Sequence, residues 1–538
     1  MKKHLMLVFI LFTILLNSAS GADYLVCISY QPALNNGISP DKQIKAGDIL
    51  LENCGVKFLD AESYIKAFYK SKPFKNLKRF PCTVLRNGQK LSVFYAANDY
   101  TDFSVMNDTP VFVEKKDFVS DLNELFYLLE TVYIFNEKTN DFAYKQSKKR
   151  LLEELIGSDK IELGEVYLKL AGFLNHFNDG HLMIDCRELL AQLMKGWFFH
   201  GKGTFPFDLK IYQGRFYSQL PLGTQKKVVQ VLSINDKPMK EIIESMRLKI
   251  SGDNDNYKNS FITDNFPVFY SWIFGYTPEY RITFKEGLKT SEITTPAGFP
   301  PHSLIEPEFV GKWYFKENIG VLIINGFNDE KFFQKNLVND FFERVKKQKS
   351  SNIIIDIRAN RGGSSQALKY LMLYLEDRPY TIYDKYKYRK QSDKRDESDP
   401  KTWYTNEIEE KIYSSDMYTV STGEIFKGHV YLLTSGHNYS TALDCIVALR
   451  IRGNTTVVGQ PCGGNLLSSG NMINWTGKKS KVKVMLPVNF YYPYHYQEFL
   501  DKKYSLEPDL LIESLPFSEN DHVLNKAFNL IKTRGKND

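Results

Sequence analysis

Ser440 sits where an apolar run, Val430-Tyr431-Leu432-Leu433, breaks at Thr434-Ser435-Gly436 and a helix-like stretch opens with Thr441-Ala442-Leu443-Asp444. A serine at a strand-to-helix junction presents its hydroxyl outward, and the amide groups of the following turn can face a developing anion. That makes Ser440 the candidate nucleophile. Earlier in the chain, Asn352-Ile353-Ile354-Ile355-Asp356-Ile357 reads as a buried strand that ends in Arg358-Ala359-Asn360-Arg361 and a glycine pair, Gly362-Gly363. Such a pair leaves backbone NH groups open. A serine nucleophile also needs a base and a group that orients the base. Among the histidines, His181 lies in an Asn178-Asp179-Gly180-His181 turn after a helical run, His176 ends that run, His437 shares the loop of Ser440, and His495 sits among tyrosines. An imidazole near its ordinary pKa of about 6.5 can take the serine proton and return it to the leaving group. His437 reaches back to Ser440 only awkwardly. No HExxH or other paired spacing points to a metal, and no cofactor is implied.

Several of these segments, taken together, resemble peptidase family S41, which includes the C-terminal processing proteases and the tricorn core protease. They are Asn178-Asp179-Gly180-His181, Asp356-Ile357-Arg358-Ala359-Asn360-Arg361-Gly362-Gly363, Ser440-Thr441-Ala442, Val457-Val458-Gly459-Gln460-Pro461-Cys462-Gly463-Gly464 and Glu507-Pro508-Asp509, in family order. The resemblance implies a ClpP/crotonase-like layered α/β core, a polypeptide substrate, and an oxyanion hole built from the NH of Thr441 with that of Gly362 or Gly363. The C-terminal processing branch uses a lysine as base, but Asn465 follows the glycines here, and Lys478 and Lys479 come too late. The tricorn branch uses a histidine, which His181 matches. For the orienting acid the resemblance points to the region before Pro508, where Glu498 is preferred over Asp501.

The elements that must position these residues follow from periodicity. Ile319–Ile324, Asn352–Ile357 and Val430–Leu433 read as strands, with helices expected over Glu330–Lys347 and Ser365–Leu375, an alternation that calls for a layered α/β arrangement. Residues 23–100 resemble a PDZ domain, with a helical segment over Ala61–Phe68 and an Asn87-Gly88 hairpin turn. Residues 101–200 are helical, with Phe118, Leu122, Leu125, Phe126 and Leu129 on one face. Residues 201–310 form a β-rich middle module containing a helix from Met239 to Ile250, its role either substrate positioning or support. The core occupies 311–538. Asp384–Glu410, dense in charge, is expected to be a mobile surface insertion, the alternative being a lid near the cleft. The aromatic cluster Tyr491–Tyr496 either lines a cleft or packs.

The chain has 70 basic and 63 acidic residues, and its densest basic cluster, Arg344 to Lys349, suits a solvated helix end, so no nucleic-acid partner is expected. Residues 1–22 read as a signal peptide: Lys2-Lys3, an apolar stretch from Leu5 to Leu16, then small residues up to Ala22. The protein is therefore expected to be exported, periplasmic or extracellular, with no membrane span after leader removal. Six scattered cysteines do not make a disulfide framework, although a bridge among Cys27, Cys54 and Cys82 is allowed. Oligomeric state is not readable. The expected function is an exported serine peptidase working through an acyl-enzyme; the alternatives are a catalytically inactive S41-like peptide-binding protein and a hydrolase of non-peptide esters or amides.

Overall fold

A computed structural model of the chain describes residues 23–31, 42–44, 48–53, 56–57, 79–86, 89–96, 100–107, 112–156, 160–185, 203–298, 311–328, 333–378, 380–396, 399–413 and 425–534. The leader (1–22), the segment 61–68 and the turn 87–88 lie outside the described residues.

A six-stranded sheet orders the parallel heart of the molecule as Gly311–Lys316, Ile319–Ile324, Asn352–Asp356, His429–Thr434, Thr455–Gly459 and Leu510–Leu511. Only the first pair is antiparallel. Strands flanked by helices on both faces read as unbroken apolar runs, because successive side chains enter different cores. Ile353, Ile355, Val430, Leu432 and Val457 pack with Phe341, Leu368, Ala442 and Ile446 from the helices Asp340–Gln348, Ser365–Met372 and Thr441–Arg452. Ile354, Tyr431, Leu433 and Val458 point the other way, onto Val523, Ala527 and Phe528 of the helix His522–Arg534. The expected α/β core is present. The helix expected over Glu330–Lys347 begins as a π-helix, Phe333–Asn339, and becomes α-helical only from Asp340.

A second sheet runs Tyr404–Ile412, Tyr383–Gln391, Lys483–Pro493, Ser468–Thr476. Its first two strands contain the segment expected to be a mobile insertion. That expectation fails because the tyrosines alternating with the charges have a partner: Tyr386 stacks on Tyr491, with centroids 5.6 Å apart, and Tyr383 leans on the same ring. Tyr491 and Tyr492 therefore pack within this sheet and its edge, Tyr492 meeting Tyr496 edge-on. Trp475, Val484, Leu486 and Val488 from this sheet close the core of the helices Lys115–Thr131, Phe142–Glu153 and Leu163–Leu174.

The middle module is an antiparallel sheet, Lys210–Tyr212, Arg215–Leu222, Gln225–Ile234, Glu279–Glu286, Lys289–Pro296, backed by two helices rather than the one expected. Beyond Met239–Arg247 there is Asp255–Phe274, which carries Pro267 in its interior. Proline forfeits one helix hydrogen bond; Ser271 Oγ donates to the Pro267 carbonyl one turn on. The N-terminal strands form a further antiparallel sheet in which Tyr100–Asn107 pairs with Asp23–Gln31, so this unit runs past the expected boundary at residue 100. Its hairpin, Arg79–Arg86 with Gln89–Ala96, is as expected. Cys445 and Cys462 are free and buried, and Cys82 is buried as well. Among the described residues no helix is long and apolar enough to cross a membrane.

Candidate active site

The strand His429–Thr434 ends in a loop that turns sharply at Ser440 into the helix Thr441–Arg452. Ser440 holds a φ of 54° and a ψ of −131°, a conformation costing about 1–3 kcal/mol for a residue with a side chain. Two fully buried asparagines lock the surroundings. Asn438 donates from Nδ2 to the carbonyls of Ile357 and Asn360 and accepts the Ser435 NH on Oδ1. Asn360 donates to the Ile324 carbonyl and accepts the Gly362 NH at 2.8 Å. The two motif loops are thereby tied side by side. Ser440 Oγ does not cap its own helix and has no hydrogen-bond partner among the described residues, so the hydroxyl is free at the positive end of the helix dipole.

Of the two glycines expected at an anion hole, Gly362 is the one whose NH already has an acceptor, Asn360 Oδ1. Its contribution is absence of bulk, since a Cβ there would lie 2.8 Å from both the Cβ of Ser440 and the carbonyl oxygen of Tyr439. Gly363, with φ of 134°, anchors its carbonyl to Thr441 Oγ1 at 2.7 Å. The NH groups of Gly363 and Thr441 have no acceptor among the described residues, and Thr441 opens the helix, where amide groups lack intrahelical partners.

His181 follows the short 3-10 turn Asn175–Phe177, whose exit is a left-handed Asn178. The next residues, Met183–Ile184, pair with Val484 and Met485 of the second sheet and pin the turn. Asp179 accepts hydrogen bonds from Tyr133 Oη (2.8 Å), Ser469 Oγ (2.7 Å) and the His181 NH (2.9 Å). The imidazole of His181 is buried against the ring of Tyr439, centroids 4.6 Å apart, and its Nδ1 lies 3.0 Å from Tyr439 Oη and 3.4 Å from Ser469 Oγ. Two segments far apart in sequence thus meet: His181 packs on the residue immediately preceding Ser440. Burial drives the His181 pKa down, with Asp179 and Asp253 opposing.

Asp253, in the loop before the helix Asp255–Phe274, was not anticipated. Its Oδ1 accepts the Gly180 NH and the Tyr439 hydroxyl, both at 2.8 Å, and its Oδ2 accepts the Asn465 NH at 3.2 Å. Glycines let the middle module come this near: a Cβ on Gly180 would fall 2.6 Å from Tyr439 Oη, and one on Gly436 would fall 2.9 Å from the Asn256 carbonyl oxygen. Nothing local in Ser251-Gly252-Asp253-Asn254 announces a site residue, because the contact spans 186 residues.

Glu498 is placed elsewhere. It pairs with His495 (3.1 Å) and Lys503 (2.9 Å) on the helix Tyr496–Leu500 and, among the described residues, makes no contact with His181, so it is not placed to orient that imidazole. The competing groups are likewise engaged: His437 with Asp264 at 3.0 Å and with Ser435, His176 with Asp141 at 3.3 Å, Lys479 with Asp117 at 2.9 Å and Lys478 with Glu124 at 3.8 Å. No cluster of metal-ligating side chains occurs among the described residues.

Comparison with known proteins follows the same lines. Residues 318–512 match the model of Peptidase family S41. Among solved structures the chain is similar to mature CPAF complexed with lactacystin, at a TM-score of 0.55 and 14% identity over 79% of this chain and 99% of that one. It is similar also to mature CPAF alone, at a TM-score of 0.51 and 12% identity over 74% and 92% of the respective chains. No match was found among curated protein sequences. Residues 318–512, which hold the motif loops and five of the six strands of the parallel sheet, are thus the part of this chain that is a Peptidase family S41 domain, the domain of a serine-type peptidase.

Proposed function

We propose that this chain cleaves polypeptides through an acyl-enzyme, with Ser440 as nucleophile, His181 as general base, and the NH groups of Gly363 and Thr441 as the oxyanion hole. The observation that carries the reading is the free hydroxyl of Ser440 at a strained helix start, one residue from the ring that packs on His181. His181 takes the proton of Ser440 as Oγ adds to the substrate carbonyl carbon. The oxygen of that carbonyl becomes anionic, and fixed NH dipoles stabilise charge that exists only in the transition state. Collapse expels the amine, which receives the proton from the imidazole; water then repeats the sequence and frees Ser440.

We read the protein as exported, because Lys2-Lys3 and the apolar stretch from Leu5 to Leu16 form a leader with small residues before a cut after Ala22. Determining the N-terminus of the mature protein checks this.

A second reading, a peptide-binding protein that has lost hydrolysis, is favoured by one observation: among the described residues no carboxylate hydrogen-bonds the imidazole of His181. A fluorophosphonate probe separates the two. Labelling that is abolished in Ser440→Ala supports the peptidase. A folded wild type that stays unlabelled between about pH 6 and 9, where a histidine base is neutral, supports the binder.

A further inference from the structure

We infer that Tyr439 and Asp253 form a hydroxyl relay that fixes the tautomer of His181 and steadies its charged form, so that the middle module completes the catalytic centre. The inference rests on the assignment of His181 as base, and deepens it.

The argument is one of donors and acceptors. An ionised carboxylate only accepts hydrogen bonds. Asp253 Oδ1 lies 2.8 Å from Tyr439 Oη, so the phenolic proton points to Asp253 and a lone pair of Oη remains for His181 Nδ1, 3.0 Å away. Ser469 repeats the pattern: its hydroxyl donates to Asp179 Oδ1 at 2.7 Å and offers a lone pair to the same Nδ1. Both arms require Nδ1 to carry a proton. Nε2 is then the unprotonated nitrogen, the form a general base must have.

The same arms act on charge. When His181 becomes imidazolium, Asp253 and Asp179 each lie one hydroxyl away. The groups around the imidazole are these two carboxylates with Tyr439 and Ser469; Tyr133 lies beyond Asp179 and Tyr257 beyond Tyr439, and the guanidinium of Arg361 acts on Tyr257 from farther out. Asp253 also fixes position. It holds the NH of Gly180, which precedes the base, the hydroxyl of Tyr439, which precedes the nucleophile, and the NH of Asn465. No other carboxylate among the described residues touches all three loops. Tyr439 and Asp253 are positioning residues, acting through His181.

The test uses the full chain and variants Tyr439→Phe, Asp253→Asn and Ser440→Ala, each checked for an unchanged folded state by thermal melting. In the probe reaction a bond forms between Ser440 Oγ and phosphorus, the P–F bond breaks, fluoride leaves, and the serine proton goes to His181. We expect Tyr439→Phe to slow labelling by about 10- to 100-fold, the range seen when a neutral or charged hydrogen-bond partner of a metal-bound histidine is removed. Asp253→Asn keeps an acceptor for Tyr439 but removes a negative charge, so the acid limb of the labelling rate moves to lower pH as well as the plateau falling. A purely structural role would lower the plateau without moving the limb. Nitrogen-15 shifts of labelled histidine, assigned with His181→Gln, supply a readout independent of activity: Nδ1 protonated in the wild type and a lower His181 pKa in Asp253→Asn. Wild-type labelling rate and limb in both variants, or a His181 protonated on Nε2, overturns the relay and leaves the peptidase reading standing. Loss of labelling from the wild type with Nδ1 protonated overturns the peptidase reading and leaves the relay geometry supported.

Discussion

Gly362 lies against Ser440 so closely that the two backbones share the space of one missing methyl group: a Cβ on Gly362 would fall 2.8 Å from the Cβ of Ser440. The φ of 110° at Gly362 adds a second obstacle to any side chain. In Gly362→Ala the serine loop must retreat, and displacements of about 1 Å near a reacting centre cost on the order of 100-fold in rate. The expected result is loss of fluorophosphonate labelling by at least about that factor, with destabilisation of about 1–3 kcal/mol in urea unfolding. Labelling at the wild-type rate would show that the close approach has no bearing on the nucleophile.

Arg358 joins the glycine motif to the end of the chain. Its guanidinium holds Asp356 through Nε and Nη2 and Asp521 through Nη1 and Nη2, at distances from 2.6 to 2.9 Å. Asp521 in turn accepts the Leu524 NH at the start of the last helix, and the Arg358 guanidinium holds the Asp521 carboxyl below its ordinary pKa despite burial. Removing the cation strands Asp356, which is buried. Arg358→Met is therefore expected to destabilise by about 3–5 kcal/mol, as for other broken buried pairs. Adding Asp356→Asn should return part of that loss, which a double-mutant cycle by urea unfolding measures. Additive losses would place the stabilisation elsewhere.

How far the sequence foretold this arrangement depends on the range of each contact. Ile353 to Ile355 and Val430 to Leu433 announce strands because burial on both faces leaves only apolar residues, a local signature. The turns that hold Ser440 and Gly363 were legible for the same reason, since a turn between strand and helix is written in adjacent residues. Glu498 was misplaced because a resemblance in motif order was asked to predict a tertiary contact, and in the fold its partners are His495 and Lys503. Asp253 and Ser469 carried no signal, as Asp253 meets Gly180 and Tyr439 and Ser469 meets His181 across long stretches of sequence. The helix Asp255–Phe274 was hidden by Pro267 and by apolar residues spread around its circumference rather than along one stripe. In Tyr383–Gln391 the alternation of tyrosines was present, but the flanking lysines and arginine masked it.

The role proposed for His181 sets the pH dependence expected of labelling. Burial lowers its pKa beneath the ordinary imidazole value of 6.5, so the base stays neutral to a lower pH than a free histidine would. The acid limb of labelling is expected to inflect below 6.5. The linked effect on stability has the same direction: the folded pKa is depressed, so the contribution is intact above the unfolded value and is lost as pH falls through the folded one. An acid limb at or above 6.5 would mean that Asp179 and Asp253 outweigh burial.

Asp444 gives the opposite sign. It lies one turn into the helix that Ser440 opens, buried, with Tyr383 Oη donating to it at 2.9 Å, and burial pushes its carboxyl up to about 7. A folded pKa above the unfolded value of 3.8 means that its contribution is fully present below 3.8 and is lost as pH rises through about 7. Above that pH the fold carries a buried charge eased by one phenol. Asp444→Asn keeps the shape and an acceptor for Tyr383 but cannot ionise. It is expected to be more stable than the wild type at pH 8 by up to about 4 kcal/mol, because each tenfold change in proton affinity between the folded and unfolded chain is worth about 1.4 kcal/mol. The advantage should shrink as pH falls toward about 5 and vanish near about 4, where the wild-type carboxyl is protonated in both folded and unfolded chains. Chemical unfolding of both proteins across that range measures the difference, and a gap independent of pH would show that the substitution acts through packing or the helix start rather than through ionisation of Asp444.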